Sequence, residues 1–193
     1  MTQLRLLAED IKRCQLCEPE LPFGARPVLQ VHQHARILIA GRAPGRSAHN
    51  SGIPFGDPSG DRLRSWLGVT PELFYDPRLF AIVPMGFCYP GTGKSGDLPP
   101  RPECAVTGRA KLLKQLPNIK TTLVIGKYAH DYHFGHKSQS VTHLVSNWRQ
   151  QWPIAVPLPH PSPRNNLWLR KNQWFEVETV PEIQRLIRAL LQA

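Results

Sequence analysis

Apolar residues along the chain fall into two kinds of run, and their alternation predicts the architecture. Four short stretches are apolar almost throughout and rich in β-branched residues: Ile37–Ala40, Leu79–Val83, Thr121–Ile125 and Ile154–Leu158. Runs this short, without polar alternation, fit strands buried on both faces of a parallel sheet. Between them, apolar residues recur at three- and four-residue spacing. Leu4, Leu6, Leu7 and Ile11 predict a helix over residues 2–13, and Leu63, Trp66 and Leu67 predict another, capped at Ser59–Asp61 and ended near Gly68. Further helical stretches are expected over 103–116, 126–133, 141–150, 166–172 and 181–191. Strands alternating with helices predict a three-layer α/β/α sandwich around a central, mainly parallel four-stranded sheet. No repeat, low-complexity tract or linker breaks the pattern, so residues 1–193 are expected to form a single domain.

The segments leaving the strands carry the candidate chemistry. Arg36–Gly60 reads RILIAGRAPGRSAHNSGIPFGDPSG: a strand ending at Gly41, then an expected irregular loop holding four more glycines and three prolines. The second strand exits into another long Gly/Pro-rich segment, and the fourth runs straight into Pro159-His160-Pro161-Ser162-Pro163. Open α/β sheets bind their ligands at the carboxyl ends of the strands, so the site is expected at this rim. Gly41 and Gly45 let backbone amides approach a ligand, and Pro44 stiffens the turn between them. Arg42, Arg46 and His49 add positive charge and a titratable ring to the same loop. A dinucleotide site would need G-x-G-x-x-G opening a helix, and Gly93-Lys94-Ser95 lacks the upstream glycine and following helix of a phosphate-cradling loop. No nucleotide cofactor is expected.

Charge narrows the partner. Lys and Arg number 24 against 14 acidic residues, a formal net charge of +10. That excess favours a polyanion, of which nucleic acid is the commonest, over a basic surface that serves solubility alone. No run of 18 apolar residues occurs, and the N-terminal stretch carries acids unlike a signal peptide. A monomeric protein in a reducing, cytoplasmic setting is the expectation, with no membrane association.

That setting matters for Cys14, Cys17, Cys88 and Cys104. The first pair forms C-x-x-C after a helix, and the second pair brackets a Pro-rich loop. Disulfides are disfavoured there, and four cysteines beginning with C-x-x-C read as a four-thiolate site. Zinc usually takes two C-x-x-C knuckles, whereas an iron–sulfur cluster tolerates scattered ligands, and spacing leaves both open. His160 is either a turn histidine bonded to a local carbonyl or, held by flanking prolines, a group aimed at a reacting centre. Phe55 is either core or a platform for a ring. Arg164, Arg170 and Lys171 beside Trp168 and Trp174 suit a backbone-gripping surface or a basic helix over buried indoles. His130, His133, His136 and His143 lack compact ligand spacing and are expected at the surface.

These residues resemble the uracil-DNA glycosylase superfamily, most closely its iron–sulfur branch, family four. That family's first motif, G-E-A-P-G…G-x-P-F, stands here as Gly41-Arg42-Ala43-Pro44-Gly45…Gly52-Ile53-Pro54-Phe55, and its H-P-S motif as His160-Pro161-Ser162. The four cysteines follow the spacing by which the family holds its cluster. The resemblance runs from Cys14 to the C-terminal helix. It implies a repair fold that flips a damaged base from DNA and cleaves its N-glycosidic bond. Phe55 would stack on the pyrimidine, and His160 would bond its O2 and stabilise the leaving anion. Residues 41–45 would line the base pocket. Ser162 would press on the DNA backbone, Arg46 and Arg164 would face phosphates, and Cys14, Cys17, Cys88 and Cys104 would bind a structural 4Fe-4S cluster, with zinc as the alternative. The family's first-motif acid corresponds here to Arg42, and its uracil-reading asparagine to the Val83-Pro84 region. His49, or Asn50 beside it, is therefore expected to position water, with Asp57 and Asp61 nearby in sequence. A DNA-binding protein without catalysis, on the same fold, is the rival expectation, and a zinc-stabilised nucleic-acid-binding domain a third.

Overall fold

A computed structural model describes residues 2–135 and 139–192. Among the described residues, strands β1 (Ile37–Ala40), β2 (Phe80–Ile82), β5 (Thr121–Ile125) and β6 (Ala155–Leu158) form one sheet in the order β2-β1-β5-β6. Every pairing in it is parallel: Ile37 stands opposite both Phe80 and Thr121, and Thr122 opposite Ala155. A small antiparallel hairpin, β3 (Thr92–Gly93) and β4 (Gly96–Asp97), stands apart. The helices are α1 (Gln3–Lys12), α2 (Arg46–Ser51), α3 (Pro58–Leu67), α4 (Pro71–Phe74), α5 (Ala110–Lys114), α6 (Gly126–Phe134), α7 (Val141–Ser146), α8 (Asn166–Lys171) and α9 (Val180–Gln192). Wide π-type turns lead into α5 and α9, at Ala105–Arg109 and Phe175–Thr179.

The sheet is apolar on both faces, as its continuous hydrophobic runs require. One set of alternate residues, with Ile37, Ile39, Phe80, Ile82, Leu123 and Leu158, packs on Leu63, Trp66 and Leu67 of α3 and on Ile183 and Ile187 of α9. The opposite set, including Leu38 and Ala81, packs on Leu4 and Ile11 of α1 and Leu112 of α5. Helices thus cover both faces of a parallel sheet, and the α/β/α layering expected from the sequence is the observed architecture.

Several expectations change in detail. Helix α3 starts earlier than Ser59: Asp57 is its N-cap, Oδ1 accepting the Gly60 N–H at 3.0 Å, and Pro58 fills the first position, where no N–H is needed. Arg46–Ser51, expected as loop, is a helical turn, and the loop after β2 contains the hairpin. His130 and His133 are not surface residues. His130 is buried and pairs through Nε2 with the Val124 carbonyl at 2.9 Å, and the Nε2 of His133 lies 2.7 Å from Arg109 Nη2. Both sit where α6 turns towards the sheet, and local partners make up for lost hydration. His143 is exposed as expected, and His136 lies outside the described residues. No helix among the described residues is long and apolar enough to cross a membrane.

Candidate active site

A cavity of about 600 Å³ opens at the carboxyl ends of the parallel strands. Its wall includes Gly41 after β1, Pro84 after β2, Gly126 at the end of β5, and Pro159-His160 after β6. Chain order reverses between β1 and β5, the crevice where such sheets accept ligands.

Phe55 forms one side. Its backbone is left-handed, with φ 55°, a conformation that a bulky residue adopts only when its surroundings enforce it. Three contacts enforce it. The Phe55 carbonyl accepts from Arg64 Nη1 at 3.4 Å and from the Tyr75 hydroxyl at 3.2 Å, and the first turn of α3 lies against it at Gly60. A Cβ on Gly60 would sit 1.7 Å from the Phe55 oxygen, so only glycine fits. The ring projects over Gly41, where an added Cβ would meet Cζ at 3.2 Å, and meets Phe74 edge-on at 6.2 Å between centroids. The first motif's glycine and phenylalanine, distant in sequence, therefore form one surface: a bare backbone facing a fixed ring.

His160 also lines the cavity, just past the end of β6. The Ser162 N–H donates to its Nδ1 at 3.2 Å, which makes Nδ1 the acceptor and assigns the ring proton to Nε2. The turn is locked further. Asn165 Nδ2 donates to the His160 carbonyl at 2.7 Å, Arg62 Nη1 to the Ser162 carbonyl at 3.2 Å, and the Arg164 N–H to Ser162 Oγ at 3.2 Å. Gly126 lies beside the imidazole, where a Cβ would be 3.5 Å from that of His160. Burial holds the His160 pKa below the usual imidazole range and the Arg42 charge lowers it further, while Asp57 and Asp97 oppose the shift. The ring is a neutral donor held in a wall.

Arg42 lines the cavity, but its guanidinium is engaged. Nη2 donates to the carbonyls of Asp97 and Leu98, the latter at 2.8 Å, and the group lies 5.0 Å from the centroid of the Tyr128 ring. It ties the β3–β4 hairpin to the first-motif loop. Arg164 holds the same hairpin from the other side, Nη1 donating to the Ser95 carbonyl at 3.0 Å against a bare Gly96. Arg46 is exposed, its guanidinium 4.6 Å from the centroid of the Phe23 ring. Ala43, Pro44 and Gly45 complete this wall, Gly45 as the N-cap of α2.

His49 is not brought to the cavity. Helix α2 turns it inward, 8% exposed, beside Phe23 and Tyr89 at ring distances of 6.3 and 6.0 Å. The sequence had it in an irregular loop, and a regular turn fixes its direction. The carboxylates that do line the cavity are Asp57 and Asp97. A Cβ built on Gly45 would stand 3.8 Å from Oδ2 of each, so they flank the same piece of backbone. Asp97 escaped the sequence reading because the hairpin that presents it has no apolar pattern.

The cysteines converge away from the cavity. Cys14 and Cys17 follow α1, Cys88 lies beyond β2, and Cys104 opens the wide turn before α5. Burial pushes the Cys88 thiol up to about 11, and the other three add in the same direction, so all four are within electrostatic reach of one another. The Phe87 N–H lies 3.5 Å from Cys104 Sγ, and the Arg26 N–H bonds Cys88. Arg101, paired with Glu20 and Glu103, bonds Cys17. Among the described residues, no three His, Cys, Asp or Glu side chains are grouped to hold a metal ion.

Comparison with known proteins points to one family. The model of the uracil DNA glycosylase superfamily matches residues 29–184, most of the chain. The solution NMR structure of a candidate uracil DNA glycosylase from Methanosarcina acetivorans superposes with a TM-score of 0.50 and 17% identity, over 83% of this chain and 93% of that one. At that identity the likeness is one of fold.

Proposed function

The chain belongs to the uracil DNA glycosylase superfamily, and from that premise we propose that it hydrolyses the N-glycosidic bond of a damaged or modified pyrimidine, uracil or a derivative, in DNA. The observation that carries this reading is the pairing, in one cavity, of the fixed Phe55 ring over Gly41 with a neutral His160 whose proton is on Nε2. A pyrimidine is flat and apolar on its faces and carries acceptors at its rim. Stacked on Phe55, it meets an N–H donor in the same cavity. As the bond to C1′ lengthens, negative charge gathers on the base, including O2. A preorganised neutral donor stabilises that anion without the cost of reorienting water. Burial and Arg42 keep the imidazole uncharged, and the Ser162 N–H keeps the ring proton on Nε2. Arg46 and Arg164, exposed at the rim, suit phosphates on either side of a flipped nucleotide.

A 4Fe-4S cluster on Cys14, Cys17, Cys88 and Cys104 belongs to the same proposal. What supports it is a set of four thiols within electrostatic reach of one another, two of them accepting backbone N–H groups, as cluster sulfurs do; as they stand they are not grouped to hold a metal, so a bound cluster would have to draw them together. Bound there it would serve structure, joining the end of α1 to the segments after β2 and before α5. A cytoplasmic setting follows for such a repair enzyme.

The experiment is base excision. Single- and double-stranded oligonucleotides carrying uracil, 5-hydroxymethyluracil, hypoxanthine or xanthine are incubated with anaerobically purified protein, and alkali reveals abasic sites. Product from one base, abolished in His160→Ala, is the expected result. Tight, base-selective binding without product from any oligonucleotide would replace hydrolysis with recognition alone, the reading that Arg42 in the place of an acid favours.

A further inference from the structure

Hydrolysis at C1′ asks for more than a stabilised leaving group. Water must reach a carbon acquiring positive charge, and a carboxylate is the side chain that both orients that water and tolerates the charge. The first-motif position offers a guanidinium instead, and His49 is turned away. The structure assigns this role to Asp97, a proposal that rests on the glycosylase reading above.

Geometry separates Asp97 from its neighbour. Both Asp57 and Asp97 line the cavity and flank Gly45 through Oδ2. Asp57 is already committed as N-cap of α3, its Oδ1 bound to the Gly60 N–H. The Asp97 carboxylate makes no hydrogen bond or ion pair among the described residues, although its backbone is tightly held. Arg42 takes the Asp97 and Leu98 carbonyls, and Arg164 takes that of Ser95 two residues earlier. The hairpin is thus pinned from both sides by its main chain, and the acid it carries is left free to face the cavity. Those carbonyls fix the Arg42 guanidinium at the hairpin, so the acid that the first-motif position lacks is presented by the segment Arg42 itself holds.

The step balances simply. The N-glycosidic electron pair leaves with the base, whose anion is held by His160 Nε2–H. Water oxygen bonds to C1′, and the proton it sheds passes to the Asp97 carboxylate. That proton then returns to solvent, while the departing base anion takes one up. The products are the free base and an abasic sugar.

The test compares wild type, Asp97→Asn and Asp57→Asn in single-turnover excision on the oligonucleotide panel above, with binding to the same oligonucleotides measured alongside. Asparagine caps a helix as well as aspartate does, so the Asp57 variant keeps α3 intact. The expected result is a rate reduced by about 10²- to 10⁴-fold in Asp97→Asn, the usual contribution of a positioned acid–base group. Its affinity should stay within about threefold of wild type, since water activation adds nothing to ground-state binding. Asp57→Asn should lose about tenfold at most. An active wild type with Asp97→Asn within about fivefold of it, or with the large loss in Asp57→Asn instead, overturns the assignment and leaves the glycosylase reading intact. An inactive wild type on every oligonucleotide overturns the glycosylase reading itself. Circular dichroism screens the variants for folding, and Asp97→Ser stands in should the asparagine variant fail to fold.

Discussion

Gly60→Ala tests the account of how Phe55 is held. The new methyl would lie 1.7 Å from the Phe55 carbonyl oxygen, 2.7 Å from its carbon and 2.9 Å from its Cβ. All of these belong to residue 55 itself, so no rotation of a flexible side chain relieves the clash. Relief to ordinary contact needs a shift of about 1.5–2 Å. That shift carries the carbonyl away from Arg64 and Tyr75, which hold it at 3.4 and 3.2 Å. Overpacking costs about 1–3 kcal/mol and two weakened hydrogen bonds add about 1 kcal/mol each, for a loss of about 3–5 kcal/mol. With a urea m-value of about 2–3 kcal/mol/M, the unfolding midpoint should fall by about 1–2.5 M. Gly135→Ala is the control: among the described residues nothing lies within 4 Å of its added Cβ, and its φ of +65° opposes the change, at about 1–2 kcal/mol. The same shift would slide the Phe55 ring off Gly41, so base excision should fall even at low temperature, where the variant remains folded. A Gly60→Ala midpoint within about 0.3 M of wild type, or a loss no larger than that of Gly135→Ala, would refute the claim that the helix start fixes the platform.

Acid stability should depend on His133. Burial and the adjacent Arg109 charge lower its pKa to about 3, against about 6.5 when unfolded, so the unfolded chain binds the extra proton between those values. Stability contributed by the neutral ring is therefore full above pH 6.5 and lost as pH falls towards 3. His133→Gln should flatten this part of the profile in urea titrations, leaving the parts due to His130 and His160, whose pKa values are also lowered. Cys88→Ala should abolish stoichiometric iron and acid-labile sulfide in anaerobically prepared protein and lower its thermal midpoint. Zinc in place of iron in the wild type would overturn the cluster assignment.

Legibility in the sequence followed how much of each signal was apolar. Burial on both faces wrote the strands as short hydrophobic runs, and β1 and β5 lie where those runs put them. The cavity's Gly41, Phe55 and His160 were also legible, because each sits in a motif beside a strand end. Polar helices were not. Arg46–Ser51 buries little beyond Ala48 and His49, so no periodicity marked it as helix, and the direction of His49 was lost with it. Helix α6 hid its inner face in the same way, since buried His130 and half-buried His133 bond a carbonyl and a guanidinium instead of packing as hydrocarbon. Two-residue strands at Thr92–Gly93 and Gly96–Asp97 are too short for alternation to appear. What places that hairpin is a pair of arginines distant in sequence.

That anchorage bears on how the protein could change its substrate. Arg42 and Arg164 grip the hairpin by carbonyl oxygens, which every residue type possesses. The position of the segment is thereby largely uncoupled from its side chains, apart from the bare Gly96 beneath the Arg164 guanidinium and the Thr92 hydroxyl, which pairs with that of Tyr89. Lys94 and Ser95 are exposed around it and open to replacement without moving the backbone. A library varied at Lys94 and Ser95 would sample new contacts at the mouth of the pocket on a frame that stays put, a favourable starting point for selecting altered base preference.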